Sequence, residues 1–166
     1  MRKEVAAVAA GVLLYLLSRP RISSAKKARI ELALRPYRSI IEKYAKLYGV
    51  DPALVKAVIW TESKGDPYVL RYERYLDDHS YGLMQLLLST ATELGFKGSA
   101  DGLFDPDTNI RLGTMYLAKQ LKRYGGNVAK AVAAYNAGSA RYKDGKFVNQ
   151  KYVDRVMSTY RLLKEE

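Results

Sequence analysis

The sequence contains no cysteine. Disulfide bridges, thiolate nucleophiles and Cys-ligated zinc are therefore excluded. A secreted chain of this size can fold without disulfides, so the absence does not fix a compartment. Histidine occurs once, at His79. Enzymes built on several His ligands to zinc do not fit, and a Ser-His-Asp arrangement would have to rest on that one residue. Tryptophan occurs once and phenylalanine three times, while tyrosine occurs 14 times. Carboxylate chemistry remains, or no chemistry at all. The 166 residues suit one domain with a core large enough to be stable without staples.

Negative charge is also scarce, and unevenly so. The formal net charge is +11. Residues 1–46 carry 11 Lys/Arg against 3 acids, and residues 47–166 carry 17 against 14. The basic excess in the N-terminal third favours anionic surfaces such as headgroups or wall polymers. No basic stripe with interleaved aromatics stands at nucleic-acid motif spacing, so no nucleic-acid partner is expected.

One long apolar run is present. Val5 to Leu17 is an uncharged stretch of 13 residues preceded by Arg2 and Lys3 and ended by Ser18-Arg19-Pro20-Arg21. A spanning helix wants about 20 apolar residues, so the run is short. It has the length of a signal-peptide apolar region, with a small-x-small site at Ser23-Ser24-Ala25. We read residues 1–24 as a signal or membrane-anchor segment and 25–166 as the folded domain. Charge on both sides leaves the orientation open.

From Ala25 onward the chain reads as helices with short breaks. Lys26–Arg35 is amphipathic, and Pro36 begins a second helix that Gly49 ends. Asp51-Pro52 and Asp105-Pro106 are start signals, with Asp as N-cap and Pro at the first helical position. Ser89 is expected to cap a short helix ending at Gly95. Asn127 is expected to cap a helix that Gly138 ends, and Asn149 a last helix through Leu163. Residues 67–81 mix Tyr, Val and Leu with charges and predict a small β-hairpin or irregular lobe. Residues 139–148 read as a polar loop. No internal repeat and no long linker is visible. The fold class is mainly α, with a small irregular or β insert at 67–81.

Glu62 ends the helix that begins at Pro52. The inner face of that helix, Val55, Val58 and Ile59, is apolar, and Trp60 stands beside the carboxyl. A partly desolvated carboxyl has a raised pKa, which a general acid needs near neutral pH. A glutamate in a last helical turn is more often a surface residue, so this pattern alone leaves both readings open.

The later segments change the balance. Glu62-Ser63, then Tyr81-Gly82-Leu83-Met84-Gln85, then Ala134-Tyr135-Asn136-Ala137-Gly138, then Lys151-Tyr152-Val153 together resemble the soluble-type lytic transglycosylases. These belong to the lysozyme superfamily and are related to goose-type lysozymes. The resemblance runs from about Ile41 to about Leu163 and includes Asp51-Pro52-Ala53-Leu54-Val55 and Phe104-Asp105-Pro106 to Asn109-Ile110. Each motif alone is modest; four in order at plausible spacing form a strong signal.

The resemblance implies a lysozyme-like α-helical catalytic domain over 25–166. It implies Glu62 as catalytic acid/base and Ser63 as a residue positioning substrate or intermediate. It further implies Gly82, Leu83, Met84 and Gln85 as a cleft-lining segment, with Met84 and Gln85 touching the sugar chain. Tyr135 and Asn136 would form the opposite wall, and the Tyr152 hydroxyl would orient the carboxyl. Bland rivals exist: Leu83, Met84 and Tyr135 can be core, and Gly82 can serve only a tight backbone. The chain departs from the family pattern in having Leu88 where Pro is usual, and in a longer segment between Glu62 and Gly82. That insert would lie at the cleft mouth, where Tyr68, Tyr72, Tyr75 and Tyr81 can stack on sugar rings.

The implied activity is cleavage of the β-1,4 bond between N-acetylmuramic acid and N-acetylglucosamine in peptidoglycan, leaving 1,6-anhydromuramoyl ends. The implied enzyme uses no metal and no cofactor. The rival is a hydrolytic muramidase with Asp77 or Asp78 activating water, which needs a second carboxylate roughly 6.5–9.5 Å from the first. The expected partners are peptidoglycan glycan strands, with membrane association through residues 5–17 and a monomeric chain. The expected location is the cell envelope, periplasmic or secreted; a phage-encoded lysis protein is the alternative.

Overall fold

A computed structural model describes residues 23–165. The expectation of a signal or anchor in residues 1–24, and of membrane association through 5–17, falls almost wholly outside them. Among the described residues no helix is long and apolar enough to cross a membrane.

The centre of the molecule is a helix α3, Pro52–Glu62, that is buried nearly all round through Leu54, Val55, Ala57, Val58 and Ile59. Its start follows the expected chemistry. Asp51 accepts the Ala53 amide at 2.9 Å, and Pro52 occupies the first turn, where its missing N–H costs nothing. Around it stand α1 (residues 23–34), α2 (Arg38–Tyr48) and α7 (Gln150–Lys164). Pro36 lies in a single 3-10 turn, Arg35–Tyr37, so α2 begins two residues later than expected. Gly49 ends α2 with φ 66°, the left-handed value that glycine adopts without strain.

Helix α7 runs antiparallel to α3 and holds both its ends. At one end Tyr160 and Lys164 donate to Asp51 Oδ2 at 2.7 and 3.0 Å. At the other the Tyr152 hydroxyl reaches the Glu62 carboxyl. Helix α1 adds Lys56 to Glu31, 2.8 Å apart, and buries Ile30 and Leu34.

The second half of the helical body is α5, Pro106–Arg123, and α6, Val128–Ala137. Asp105 caps α5 through the Thr108 amide at 2.8 Å, and Asn127 caps α6 through the Lys130 amide at 3.0 Å. Gly138 ends α6 with φ 70°.

Residues 70–104 form a small lobe beside this body. Strands β1 (Leu70–Glu73), β2 (Asp78–Tyr81) and β3 (Leu86–Leu87) make an antiparallel sheet in that order. The expected insert is thus a hairpin, with β3 as an added strand. Its register pairs Arg71 with Ser80 and Tyr72 with His79. Side chains alternate between faces. One face carries a row of rings, Tyr72–His79 at 5.2 Å, His79–Tyr81 at 6.4 Å and Tyr81–Phe104 at 5.5 Å. The lobe has its own small core of Leu86, Ala91, Leu103 and Leu112.

Three local expectations are corrected. Helix α4, Leu88–Glu93, starts two residues earlier than expected, and Ser89 lies inside it instead of capping it. The cap position is Leu87, which has no side-chain acceptor; strand β3 leads straight into the helix. Asn149 stands at the start of α7 without a cap bond, because its amide donates to the Ala133 carbonyl and Asn136 Oδ1 at 3.0 and 2.9 Å. The polar loop 139–148 contains a second hairpin, β4 (Tyr142–Lys143) and β5 (Lys146–Phe147).

Candidate active site

A cleft of about 600 Å³ separates the lobe from the helical body. Glu62 and Tyr135 lie in it from the helical side, with Asn136, Tyr116 and Arg141; Arg71, Glu73, Ser80 and Gln85 face them from the lobe. Tyr75 and Leu76, at the hairpin tip, reach its rim.

Glu62 is 8 % exposed. Helical periodicity along α3 leaves its side chain on the buried side in the last turn, where the helix meets the cleft. The Tyr152 hydroxyl donates to its Oε1 at 2.7 Å. Arg71 lies on the other side: its Nη1 is 3.6 Å from Glu62 Oε2, and its Nη2 donates to the Glu62 carbonyl at 3.1 Å. Burial pushes the Glu62 pKa up, and the nearby Glu73 adds to the rise; the Tyr152 hydrogen bond and Arg71 oppose it without cancelling it. The carboxyl can therefore hold a proton at a pH where an exposed glutamate has lost it. Burial and the neighbouring Glu62 raise the Tyr152 hydroxyl well above the usual tyrosine range, so it stays a donor. Trp60 does not enter the cleft; its ring lies under the cations of Arg29 and Lys64, at 6.0 and 5.1 Å.

Ser63 is buried, with its hydroxyl 2.8 Å from the Leu83 carbonyl and 3.2 Å from that of Ile59. It ties the end of α3 to the turn over residues 82–85 and presents no free hydroxyl to the cleft. After it, Gly65 has φ 89°, and a Cβ there would lie 3.1 Å from Leu34 Cδ2 and 3.2 Å from the Ala33 carbonyl. The chain leaving Glu62 is thereby held against the end of α1.

The turn 82–85 hangs on one buried side chain. Asn109 of α5 accepts the Met84 amide at 2.8 Å and donates to the carbonyls of Tyr81 and Leu103 at 2.8 and 2.7 Å. Gly82 has φ 72°, and a Cβ on it would lie 2.6 Å from both Asn109 Nδ2 and the Leu103 oxygen. The glycine is required twice over, by conformation and by space. Leu83 and Met84 are fully buried. Met84 packs on Gly113 of α5, where a Cβ would lie 2.4 Å from its sulfur. The expectation that the Met84 side chain touches sugar is corrected: it is a core side chain, and its carbonyl accepts the Tyr135 hydroxyl at 2.9 Å. Gln85 does line the cleft, at φ 48°. Two hydrogen bonds from its amide nitrogen hold it there, to the carbonyls of Val69 and Gly82, each at 2.9 Å, and the Ser80 hydroxyl lies 2.9 Å from its Oε1.

Tyr135 lines the cleft as a largely buried ring, and Asn136 is exposed on it. Asp77 and Asp78 do not line the cleft. Asp77 accepts the Tyr72 hydroxyl at 2.6 Å in the hairpin turn. Asp78 caps the His79 amide at 2.7 Å and borders a separate surface hollow with Leu88, Ser89, Thr92 and Glu93. Both are turn residues, which removes the water-activating role considered for them. Of the tyrosines expected to stack on sugar, Tyr75 alone borders the cleft; Tyr72 and Tyr81 belong to the ring row on the sheet's other face. Arg71 and Glu73 were missed. Their spacing of two on a strand, with a hairpin partner register that brings Ser80 alongside, is the signal that finds them. Among the described residues no three His, Asp or Glu side chains converge as a metal site.

Comparison with known proteins places this geometry. The family model described as the transglycosylase SLT domain matches residues 39–156. The membrane-bound lytic murein transglycosylase C of Actinobacillus pleuropneumoniae is 32% identical over 123 residues, covering 70% of this chain and 32% of that protein. Its counterpart in Haemophilus influenzae is 29% identical over 161 residues, covering 81% of this chain and 42% of that one. Among solved structures, an inactive mutant of the lytic transglycosylase Slt from Pseudomonas aeruginosa superposes with a TM-score of 0.58 at 28% identity. That match covers 77% of this chain and 22% of the other. The chain thus spans about a third of the length of the first of these curated relatives.

Proposed function

The chain belongs to the transglycosylase SLT domain family, and from that premise we propose that it is a peptidoglycan lytic transglycosylase with Glu62 as its acid and base. The bond cleaved is the β-1,4 link between N-acetylmuramic acid and N-acetylglucosamine. The observation that carries the reading is the Glu62 carboxyl: buried, raised in pKa, held by Tyr152 at 2.7 Å and open to the cleft.

In the proposed reaction Glu62 arrives protonated and donates to the glycosidic oxygen as the C1–O bond breaks. Positive charge develops at C1 of the muramic residue, where the substrate's own N-acetyl oxygen can stabilise it. Glu62, now a carboxylate, takes the proton of the muramic C6 hydroxyl. That oxygen bonds to C1, closing the 1,6-anhydro ring and returning Glu62 to its starting state. The substrate supplies the nucleophile, so one carboxyl completes the cycle. Tyr152 keeps Oε1 in one orientation through both proton transfers. Ser63, Gly82, Leu83 and Met84 shape the cleft through backbone and packing, while Gln85, Tyr135 and Asn136 form its two walls. Residues 25–166 are the proposed catalytic domain. The names of the membrane-bound relatives support a place in the cell envelope, with residues 1–24 as anchor or signal.

Digestion of purified peptidoglycan with mass analysis of the new ends tests this. Wild type is expected to release 1,6-anhydromuropeptides, and Glu62→Gln to lose about a thousandfold or more in rate. Reducing ends from the wild type, or wild-type rates from Glu62→Gln, would sink the proposal.

A further inference from the structure

The lobe brings two opposite charges to the cleft from one strand. Arg71 and Glu73 are two residues apart on β1, so they leave the same face of the sheet. Both line the cleft with Glu62. Arg71 touches Glu62 at two points, carboxyl and carbonyl. Glu73 is held from the neighbouring strand, where the Ser80 hydroxyl lies 2.8 Å from its Oε1. Ser80 in turn sits 2.9 Å from Gln85 Oε1, and the Gln85 amide nitrogen is committed to two backbone carbonyls. The hairpin therefore sets where Glu73 stands relative to Arg71 and Glu62.

A one-carboxyl mechanism makes contradictory demands on that group. It must keep its proton until the glycosidic bond stretches, and it must then exist as an anion beside a forming cation. A lone cation at Glu62 would serve the second demand and defeat the first. A lone anion would do the opposite. We infer that Arg71 and Glu73 form an opposed charge pair that acts on Glu62: Arg71 supports the carboxylate left after proton donation, and Glu73 limits that support so that the resting acid keeps its proton. Both are positioning residues, working through Glu62. The inference rests on the proposed role of Glu62 and adds to it.

The other groups facing Glu62 do not substitute for the pair. From α7 come Tyr152 and, one turn on, Arg155, which acts on Tyr152 and Lys64. From α6 comes Tyr135, whose hydroxyl burial raises well above the usual tyrosine range. Lys64 follows the end of α3, with its amine on the Trp60 carbonyl and above the Trp60 ring. The charges of opposite sign that reach Glu62 from the lobe are Arg71 and Glu73, and these are the two that enter its pKa with opposite effect.

The test uses the full chain with 13C-labelled glutamate, following the Glu62 carboxyl by NMR as pH is raised, alongside kcat/KM profiles on purified peptidoglycan. In Glu73→Gln the titration midpoint should fall and the alkaline limb of kcat/KM should move to lower pH. The loss should be roughly threefold above the limb and slight below it. In Arg71→Gln the midpoint should rise, with kcat on the plateau falling about tenfold. The charge-keeping variant Glu73→Asp should stay near the wild-type midpoint. Thermal unfolding identifies any variant that fails to fold, and a misfolded Glu73→Gln is replaced by Glu73→Ala, for which the same fall is expected. Midpoints that do not move in either direction, or that move together, overturn the inference. The NMR reading does not require turnover, so failure of the charge pair is distinguishable from failure of the proposed reaction, which shows as an absence of anhydro ends in the wild type.

Discussion

The two walls of the cleft are built on different principles. The helical wall is set by packing. Glu62 and Tyr152 stand on α3 and α7, whose facing side chains are buried, and the same two helices are pinned again at Asp51. The lobe wall is set by hydrogen bonds and by the shape of a few backbone positions. Its sheet is short, its core is four residues, and the turn that carries Gln85 hangs on Asn109. Packing distributes the cost of an error over many contacts, whereas a wall hung on single polar groups concentrates it. Damage to the lobe should therefore be local and steep, and damage to the helical wall should show mainly in the chemistry.

Glycine offers the sharpest way to break this comparison. Gly82 and Gly138 share a left-handed φ, 72° and 70°. A Cβ on Gly138 meets nothing within 4 Å, whereas one on Gly82 meets Asn109 and Leu103 at 2.6 Å. Gly138→Ala should cost about 1 kcal/mol, the ordinary conformational penalty. Gly82→Ala should cost about 3 kcal/mol or more, since the contact adds to the same penalty. Chemical denaturation of the two variants measures the difference, and equal losses would show that the lobe is not hung as described.

The helical wall is tested next through Tyr152→Phe. Removing one hydrogen bond to a charged group costs about 1.5–3 kcal/mol, so kcat should fall about tenfold to a hundredfold with the fold intact. The lost bond is one that lowers the Glu62 pKa. The alkaline limb of the rate profile should thus move to higher pH while its height drops. A variant that loses height with the limb unmoved would deny Tyr152 its hold on the carboxyl.

A smaller effect has the opposite sign for stability. The Glu62 pKa is raised in the folded chain. Such a group stabilises the fold fully below its unfolded pKa, and that contribution is lost as pH rises through the folded value. At neutral pH the buried carboxyl no longer carries its full stabilising contribution. Glu62→Gln should therefore be more stable than wild type at pH 7, by about 1 kcal/mol, and the gain should vanish near pH 4. Calorimetry at the two pH values checks the sign, and a gain that persists in acid would point to packing instead of charge.

The smallest expected effect is at the rim. Tyr75 is fully exposed at the hairpin tip and borders the cleft. Tyr75→Ala should leave stability within about 0.5 kcal/mol and raise KM on long glycan strands about twofold to fivefold through lost ring stacking. Unchanged KM would confine the lobe's contribution to Arg71, Glu73, Ser80 and Gln85 inside the cleft.

The same division decides what could be read from the sequence. Helix starts at Asp51-Pro52, Asp105-Pro106 and Asn127 were legible because each depends on one local hydrogen bond. The ends at Gly49 and Gly138 depend on one backbone angle. Ser89 misled because a capping residue is useless where a strand runs directly into a helix. The β4–β5 hairpin carries a local signal of its own. Asp144-Gly145, at φ 52° and 73°, is the two-residue turn that joins paired strands. The candidate site was legible where motifs named it and illegible where it depended on pairing. Arg71 and Glu73 look like charges in a charged stretch until the strand register puts them on one face. Met84 belongs to the core because Gly113, distant in the chain, makes room for it.

The clamping of α3 by α7 at both ends has a consequence for how such a domain can diversify. An acid mounted on a helix pair pinned at both ends takes its position from the helical body, and the lobe adds the charges around it. A change of lobe length or sequence outside Arg71, Glu73 and residues 82–85 can then alter the mouth of the cleft while Glu62 and Tyr152 keep their mounting. The longer hairpin of this chain would be one such change, a replaceable jaw on a fixed anvil.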